Sequence, residues 1–405
     1  MTREIPDAPH DHLVHEARGP AFTPLQSAAV IAVGINSLLV LGVLPVLLGA
    51  LVDEGRLTNS ELGLCAMVEL IAMGVATALM GLTPRPARLR TIAAAVALAL
   101  AGVDAAAIGE RHAALMALRA AAGALEGVLL WITIGFIVRT ATPERWAGVF
   151  FTAQTAAQLV LALVLGVAVL PRAGADGGFV ALAVVSVAGA LPAVFAPSRY
   201  LHLPTAPGEG GLPPPRGWVA LAATVIFVAG GGAIGVYLEP LAHQAHLSAA
   251  VARTALWTSL VGQVAGGALA TAMAGRVRYF TVFVAGSLAS LIIWAILGLD
   301  APAWLFVADN VLSGVVSLVL APFIAPMTIA ADPTRRAAVQ SGAAQLLGGA
   351  LGPLLSSVVV DDKDVRGVLW LGAGMLLAGI AMIAWLRFTA RDDDEAAAQA
   401  ASRFA

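Results

Sequence analysis

The stretch Arg119–Thr133, RAAAGALEGVLLWIT, lies inside an apolar run from about His112 to Val138 and carries Arg119, Glu126 and Thr133 at seven-residue spacing. At 3.6 residues per turn this spacing sets all three on one stripe of a helix, with Gly123 and Leu130 between them. A charge at the centre of a bilayer costs about 2.5–3.5 kcal/mol on insertion scales. Two charges on one face of a spanning helix therefore need protein or water in front of them. The expectation is that the stripe lines an internal cavity through which a solute crosses the membrane. Two plainer arrangements stand beside it: Arg119 as a structural partner of Asp104, late in the preceding helix at similar depth, and Glu126 as a protonated group bonded to neighbouring backbone.

The composition agrees with a membrane setting. Of 405 residues 59% are apolar and 12% charged, and the mean hydropathy is +0.88. Soluble domains carry about 25% charged residues, so the chain reads as an all-α, polytopic membrane protein. The single cysteine, Cys65, sits in an apolar run, which excludes an intramolecular disulfide and a thiolate metal site. His10, His12 and His15 fall in a polar leading segment that reads as a solvated tail. No apolar signal core begins near Met1, so the first hydrophobic segment is expected to be a retained helix.

Twelve runs come close to the 20 or so apolar residues a spanning helix needs: 27–51, 60–81, 89–108, 112–138, 146–170, 178–195, 217–241, 251–274, 279–298, 303–329, 336–360 and 367–388. The break at 196–216, with Pro197, Pro204, Pro207 and Pro213 to Pro215, reads as a linker between two six-helix bundles, 27–195 and 217–388. The polar ends, 1–26 and 389–405, read as tails. Placing both termini in the cytoplasm puts sixteen of the 23 basic residues on that side and six on the other, with Arg119 between, as the positive-inside rule asks. The preference for Arg over Lys and the abundance of Ala and Gly suggest a GC-rich bacterial genome, and the expected location is a bacterial inner membrane.

The two halves repeat. Ala76-Thr77-Ala78-Leu79-Met80-Gly81 recurs 194 residues later as Ala270-Thr271-Ala272-Met273-Ala274-Gly275. Pro143, Arg145, Ala147, Val149 and Ala153 recur 190 later as Pro333, Arg335, Ala337, Val339 and Ala343. Duplicated units of this kind build transporter sites near the midplane, between halves that rock about them.

On these features the whole chain resembles the major facilitator superfamily. The loop after Gly81, Leu82-Thr83-Pro84-Arg85-Pro86-Ala87-Arg88-Leu89-Arg90, keeps the basic residues of that family's loop signature but lacks its Asp, and the second copy is only Gly275-Arg276-Val277-Arg278. Leu115, Arg119 and Gly123 are similar to the fourth-helix pattern of proton-coupled drug exporters, with Ala122 where those have Gln. The resemblance implies a role for Arg119 in proton coupling. The exporters' Gly-x-x-x-Gly-Pro signature is absent from the fifth run, and a similar string, Gly348 to Gly352-Pro353, stands in the eleventh.

Further polar groups complete the candidate site. At offset 190 Arg119 falls on Asp309, which invites a pair across the halves, direct or through solute; Ser313 and Ser317 share the face of Asp309. Glu69 lies mid-span with no basic residue in its own helix and falls on Gln263 at offset 194. A desolvated carboxyl that loads and releases a proton near neutral pH is what coupling to a proton gradient requires. Glu69, Arg119, Glu126 and Asp309 are therefore the expected protonation machinery. Asn36, Thr133, Gln154, Gln158, Gln263, Ser313 and Gln345 are candidates to hydrogen-bond a solute, with interhelical bonding as the alternative for each. Trp257, with Trp131, is a candidate to stack on one, with lipid or core packing as the alternative. Gly230-Gly231-Gly232 reads as a break and a gate hinge, or as a site of tight helix packing.

The expected function is proton-coupled secondary transport of a small organic solute by alternating access, with export favoured over import. The excess of acidic over basic groups in the spans favours cation or proton handling, and Arg119 still admits a carboxylate. A non-transporting receptor or assembly factor on the same scaffold is the second class. An enzyme is not expected, since no nucleophile elbow, phosphate loop or zinc-protease motif occurs. No cofactor, metal or nucleic-acid partner is expected. The partners are a solute, protons and the lipid bilayer, around a monomer.

Overall fold

In a bilayer every backbone amide must find its partner within its own segment, so apolar runs of this length fold as helices. The computed structural model describes residues 22–83, 86–203, 212–299, 301–360 and 364–403. The leading segment with His10, His12 and His15, together with Arg85, Pro204, Pro207 and Lys363, lies outside the described residues.

The helices of the first half are α1 (Pro24–Asp53), α2 (Asn59–Gly81), α3 (Leu89–Ala106), α4 (His112–Ile137), α5 (Pro143–Val164) and α6 (Leu170–Ala193). Those of the second are α7 (Pro215–Val236), a short α8 (Leu238–Gln244), α9 (Ala249–Met273), α10 (Tyr279–Leu297), α11 (Ala303–Leu320), α12 (Ile324–Ala331), α13 (Arg336–Val359) and α14 (Gly367–Arg403). Among the described residues ten stretches are long and apolar enough to cross a membrane. One of them, Pro143–Ala193, has 51 residues. At 1.5 Å per residue this is more than twice a bilayer core of about 30 Å. The run doubles back at Gly174, whose φ of 59° and ψ of −163° suit glycine alone.

Helix starts follow local chemistry. Thr23 and Thr58 each accept the backbone N–H three residues on, while Gln26 and Glu61 reach back to the threonine N–H. These capping boxes satisfy donors that α1 and α2 would otherwise leave open. The linker begins as ordered chain: Ala87 and Arg199 pair in an antiparallel bridge, and the Tyr200 hydroxyl donates to the Ile132 carbonyl at 2.7 Å.

The buried apolar residues form two large clusters, one drawn from 30–203 with Ala338, Val339 and Leu346, the other from 223–383. α1 and α4 are the most enclosed helices, with 72% of each spanning window buried, against 28% for α2. Val167, Leu191, Trp304, Val358 and Trp370 stand exposed on the outside. So much bare apolar surface is tolerated where the solvent is lipid. The halves meet along α2–α13 and α5–α9, with α4 touching α13.

On the face opposite the linker, Arg56 is 4% exposed and holds three segments together. It donates to the carbonyls of Glu110 at 2.8 Å and Ala107 at 2.9 Å and to Asp176 Oδ1 at 2.6 Å, with its guanidinium 5.7 Å from the Phe179 ring centre. Removing a charged donor strands these acceptors, so Arg56→Ala is expected to cost about 2–4 kcal/mol. A lower unfolding temperature in a detergent thermal-shift assay checks this; an unchanged one would refute it.

Candidate functional site

The charged stripe of α4 is met by carboxylates from two neighbouring helices and from α4 itself. Arg119, 1% exposed, donates through Nε to Glu69 Oε2 at 3.0 Å and through Nη2 to Glu69 Oε1. Nη1 donates to Asp104 Oδ1 at 2.8 Å, and Nη2 lies 3.7 Å from Glu126 Oε1. The Ser186 hydroxyl of α6 donates to Asp104 Oδ2 at 3.4 Å. Glu69, Asp104 and Glu126 are each 2% exposed or less. Glu126 Oε2 is buried with no hydrogen-bond partner among the described residues.

Close helix approach makes this arrangement possible. Gly123, one turn beyond Arg119, lies against the Glu69 carbonyl, and any side chain there would collide with it. Gly314 lies against the Ser259 carbonyl in the same manner between α11 and α9. The offsets, 191 for the glycines and 190 for their partners, extend the sequence repeat into a repeated helix pair.

This cluster corrects the cavity-lining expectation. Glu69, Arg119 and Glu126 are sealed within the first half of the chain by α2 and α3, and only from Leu130 inward does the stripe reach a cavity. Arg119 does not pair with Asp309. Its partners are Glu69, Asp104 and Glu126, so the plainer pairing with Asp104 is present and Glu69 has a cation after all. Asp309 is buried in α11 away from the cavity lining, with Oδ2 unpartnered among the described residues.

The cavity itself, about 420 Å³, lies between the halves. Leu38, Leu70, Leu130, Ile134, Phe150 and Phe151 supply its apolar wall, and Gln154, Gln158, Gln263 and Gln345 its amides. No Asp, Glu, Lys, Arg or His lines it among the described residues. These four glutamines are all among the residues expected to hydrogen-bond a solute. The acidic candidates and Arg119 stand outside this lining: Arg119 is held with Glu69, Asp104 and Glu126, and Asp309 lies in α11.

The remaining candidates stand outside this lining. The buried Thr133 hydroxyl donates to Val30 O at 3.2 Å and Leu129 O at 3.3 Å, tying α4 to α1. Asn36 packs against Gly189 of α6 with its Nδ2 unpartnered among the described residues, the Ser313 backbone carbonyl accepts the Ser317 hydroxyl at 2.8 Å, and Trp257 packs on the core of the first half. The glycine triplet does not break α7, which runs unbroken to Val236 and stops at Tyr237. Gly230 lies close to the Gly372 carbonyl, which is the packing alternative.

Sequence reasoning gave Arg335 only a topological role. It is 3% exposed, has a left-handed φ of 64°, and donates across the halves to Val138 O and to Thr140 O, the latter at 3.3 Å. These carbonyls close the C-terminal end of α4, where the helix dipole is negative. Asp332 shapes the turn, accepting Thr334 N at 3.0 Å and Ala337 N at 2.7 Å. Gln340 adds a second crossing bond, to Ala78 O at 3.1 Å. These bonds join the halves at the end of α4, where Val138 is part of the cavity lining. The repeat-related Arg145 is exposed, so the repeat identified the position without distinguishing the buried copy.

No protein-family model matches the sequence, and no curated protein matches it by sequence. Solved structures do match its backbone. The human organic anion transporter MFSD10 (TETRAN) aligns with a TM-score of 0.70 at 14% identity, over 93% of this chain and 100% of that one. FucP, a major facilitator superfamily transporter in the outward conformation, aligns at 0.69 and 13% identity, over 89% of this chain and 98% of its own.

The chain has the major facilitator superfamily fold.

A second structure of FucP, the E. coli fucose:proton symporter, aligns at 0.66 and 14% identity, over 89% of this chain and 98% of its own. All these neighbours are transporters, not enzymes. The site chemistry must be read from this chain's own residues.

Removing one partner of a buried pair leaves an uncompensated charge, at about 3–5 kcal/mol. Arg119→Leu is expected to lower the unfolding temperature sharply and Glu69→Leu to do so less. The double substitution should recover part of the loss. Strictly additive losses in a double-mutant thermal-shift cycle would contradict the pairing.

Proposed function

We propose that this protein is a proton-coupled secondary transporter of a small organic solute, built of twelve helices in two six-helix bundles and working by alternating access in a bacterial inner membrane. The observation that carries the reading is the neutral cavity between the halves, and we take the Arg335 bridge to the end of α4 as its closed end. A cavity with one closed end and walls from both halves is the arrangement a rocking mechanism uses. With the linker face cytoplasmic, as the basic residues ask, this is the state closed to the cytoplasm.

The Glu69–Asp104–Arg119–Glu126 cluster is the proposed proton site. One guanidinium balances one of three carboxylates, and no second cation pairs with them among the described residues. Uncompensated carboxylates in a dry site are costly, and protons supply the missing counter-charge. Rocking that wets or dries α4 would load and release them. Asp309, buried with a free Oδ2, is a second proposed proton carrier. The Gly230–Gly232 segment stays a hinge candidate only as a place where α7 can bend.

Everted vesicles with no imposed gradient distinguish the directions. Solute added outside should make the lumen alkaline for an exporting antiporter and acid for an importing symporter. The α4 resemblance favours the first. Glu126→Gln is expected to keep solute binding while abolishing the pH response; a full response in this variant would remove the cluster from coupling. A green fluorescent protein fused after Ala405 is expected to fluoresce, and a dark, membrane-inserted fusion would reverse the proposed topology.

A further inference from the structure

We infer that the solute is uncharged: an apolar, preferably aromatic body carrying hydroxyl, phenol or amide N–H donors, with charged analogues excluded from the cavity. The inference rests on the transporter reading for the word solute, but its physical content concerns the cavity alone.

The first argument is the absence of any counter-ion. The lining holds no ionisable side chain among the described residues. The nearest charges stand outside the lining: Arg119 is paired with Glu69 and Asp104, Glu126 lies one turn behind Leu130, and Arg335 bonds the carbonyls at the end of α4. A cation or an anion entering the cavity would lose water and gain no partner of opposite sign, a loss that a neutral molecule escapes.

The second argument is the balance of donors and acceptors. Gln158 Nε2 donates to Leu38 O at 2.5 Å, and Gln345 Nε2 to Ser341 O at 3.3 Å. An amide facing a carbonyl oxygen must present its nitrogen, so the orientation of both side chains is fixed. Each then leaves its Oε1 to accept a bond. Gln154 and Gln263 make no hydrogen bond within the protein among the described residues and offer both ends of their amides. Gln158 and Gln345 each keep a second N–H, so six uncommitted N–H groups stand against the eight lone pairs of four oxygens, and acceptor sites remain in surplus. The vacancy is for a solute that brings its own donors.

The third argument is position. Gln154 and Gln158 come from α5 of the first half, Gln263 and Gln345 from α9 and α13 of the second. A solute bonded to both sets bridges the parts that must move together. Phe150 and Phe151, with ring centres 5.2 Å apart, provide flat apolar surface beside the amides of α5.

A matched naphthalene series tests this on purified wild-type protein in nanodiscs by isothermal titration at pH 7. The probes are 2-naphthol (neutral, with a donor), 2-methoxynaphthalene (neutral, without one), 2-naphthoate (anion) and 2-naphthylmethylammonium (cation). Empty nanodiscs give the baseline for partitioning. 2-Naphthol is expected to bind saturably, about tenfold tighter than the methoxy compound, as one hydrogen bond predicts, and tighter than either ion by more. Gln154→Leu and Gln263→Leu should each weaken 2-naphthol several-fold and leave 2-methoxynaphthalene unchanged. Saturable binding of either ion at the affinity of 2-naphthol, or no saturable 2-naphthol binding, overturns the inference. A charged probe that also drives luminal pH change in everted vesicles would do so while leaving the transporter reading standing. Selective 2-naphthol binding without uptake or pH response would confirm the cavity chemistry and count against transport.

Discussion

A guanidinium held in a dry helix bundle governs the rest of this structure. Arg119 cannot face lipid, and the cost of its desolvation is offset only if carboxylates reach it from several directions at once. Glu69 comes from α2, Asp104 from α3 and Glu126 from α4 itself, while Ser186 of α6 steadies Asp104. Gly123 allows the α2 backbone close enough for the pair to form. A polar requirement at one position of one helix therefore fixes the packing of four.

The consequences run along α4. Its outer part is locked in the ion cluster, its middle gives Leu130 and Ile134 to the cavity wall, and its final carbonyls receive Arg335 from the other half. Ion cluster, cavity wall and inter-half bond occupy successive depths on a single helix. An inward stripe therefore need not have a single environment. Because α2 leans on α4 at Gly123, the charged part of the stripe is covered and the apolar part open, the reverse of what water would select unaided.

Much of this was legible in the sequence, and the failures have physical causes. Helix boundaries follow from hydrophobic length, and the mid-span glutamines were found because an amide has little reason to be there except to bond something. The pairing of Arg119 with Asp309 failed because a repeat offset identifies equivalent positions, and equivalent positions each face into their own bundle. Depth would have served better. Glu69 lies ten residues into α2 and Arg119 seven into α4, two helices that enter from the same face. The glycine triplet misled because a helix in lipid has no alternative partner for its amides, so it stays wound through weak formers. Arg335 was hidden among topology signals, since no composition rule separates an arginine that faces water from one that binds the end of a helix.

Keeping charge out of the cavity constrains how coupling can work on the proposed reading. In a site where solute and proton compete for one carboxylate, exchange follows from direct displacement. Here no ionisable side chain lines the cavity among the described residues, so on this reading the solute affects the proton by changing the surroundings of the cluster. The available connection is α4, which borders the cavity one turn beyond Glu126 and is gripped at its end by the opposite half. A solute bridging the two sets of glutamines favours one arrangement of the halves. That arrangement decides whether Arg335 stays on the end of α4, and so whether water reaches Glu126, whose Oε2 already lacks a partner. The energy transmitted is the differential affinity of solute for the two arrangements and no more. A tightly bound solute indifferent to which face is closed would occupy the cavity without moving a proton.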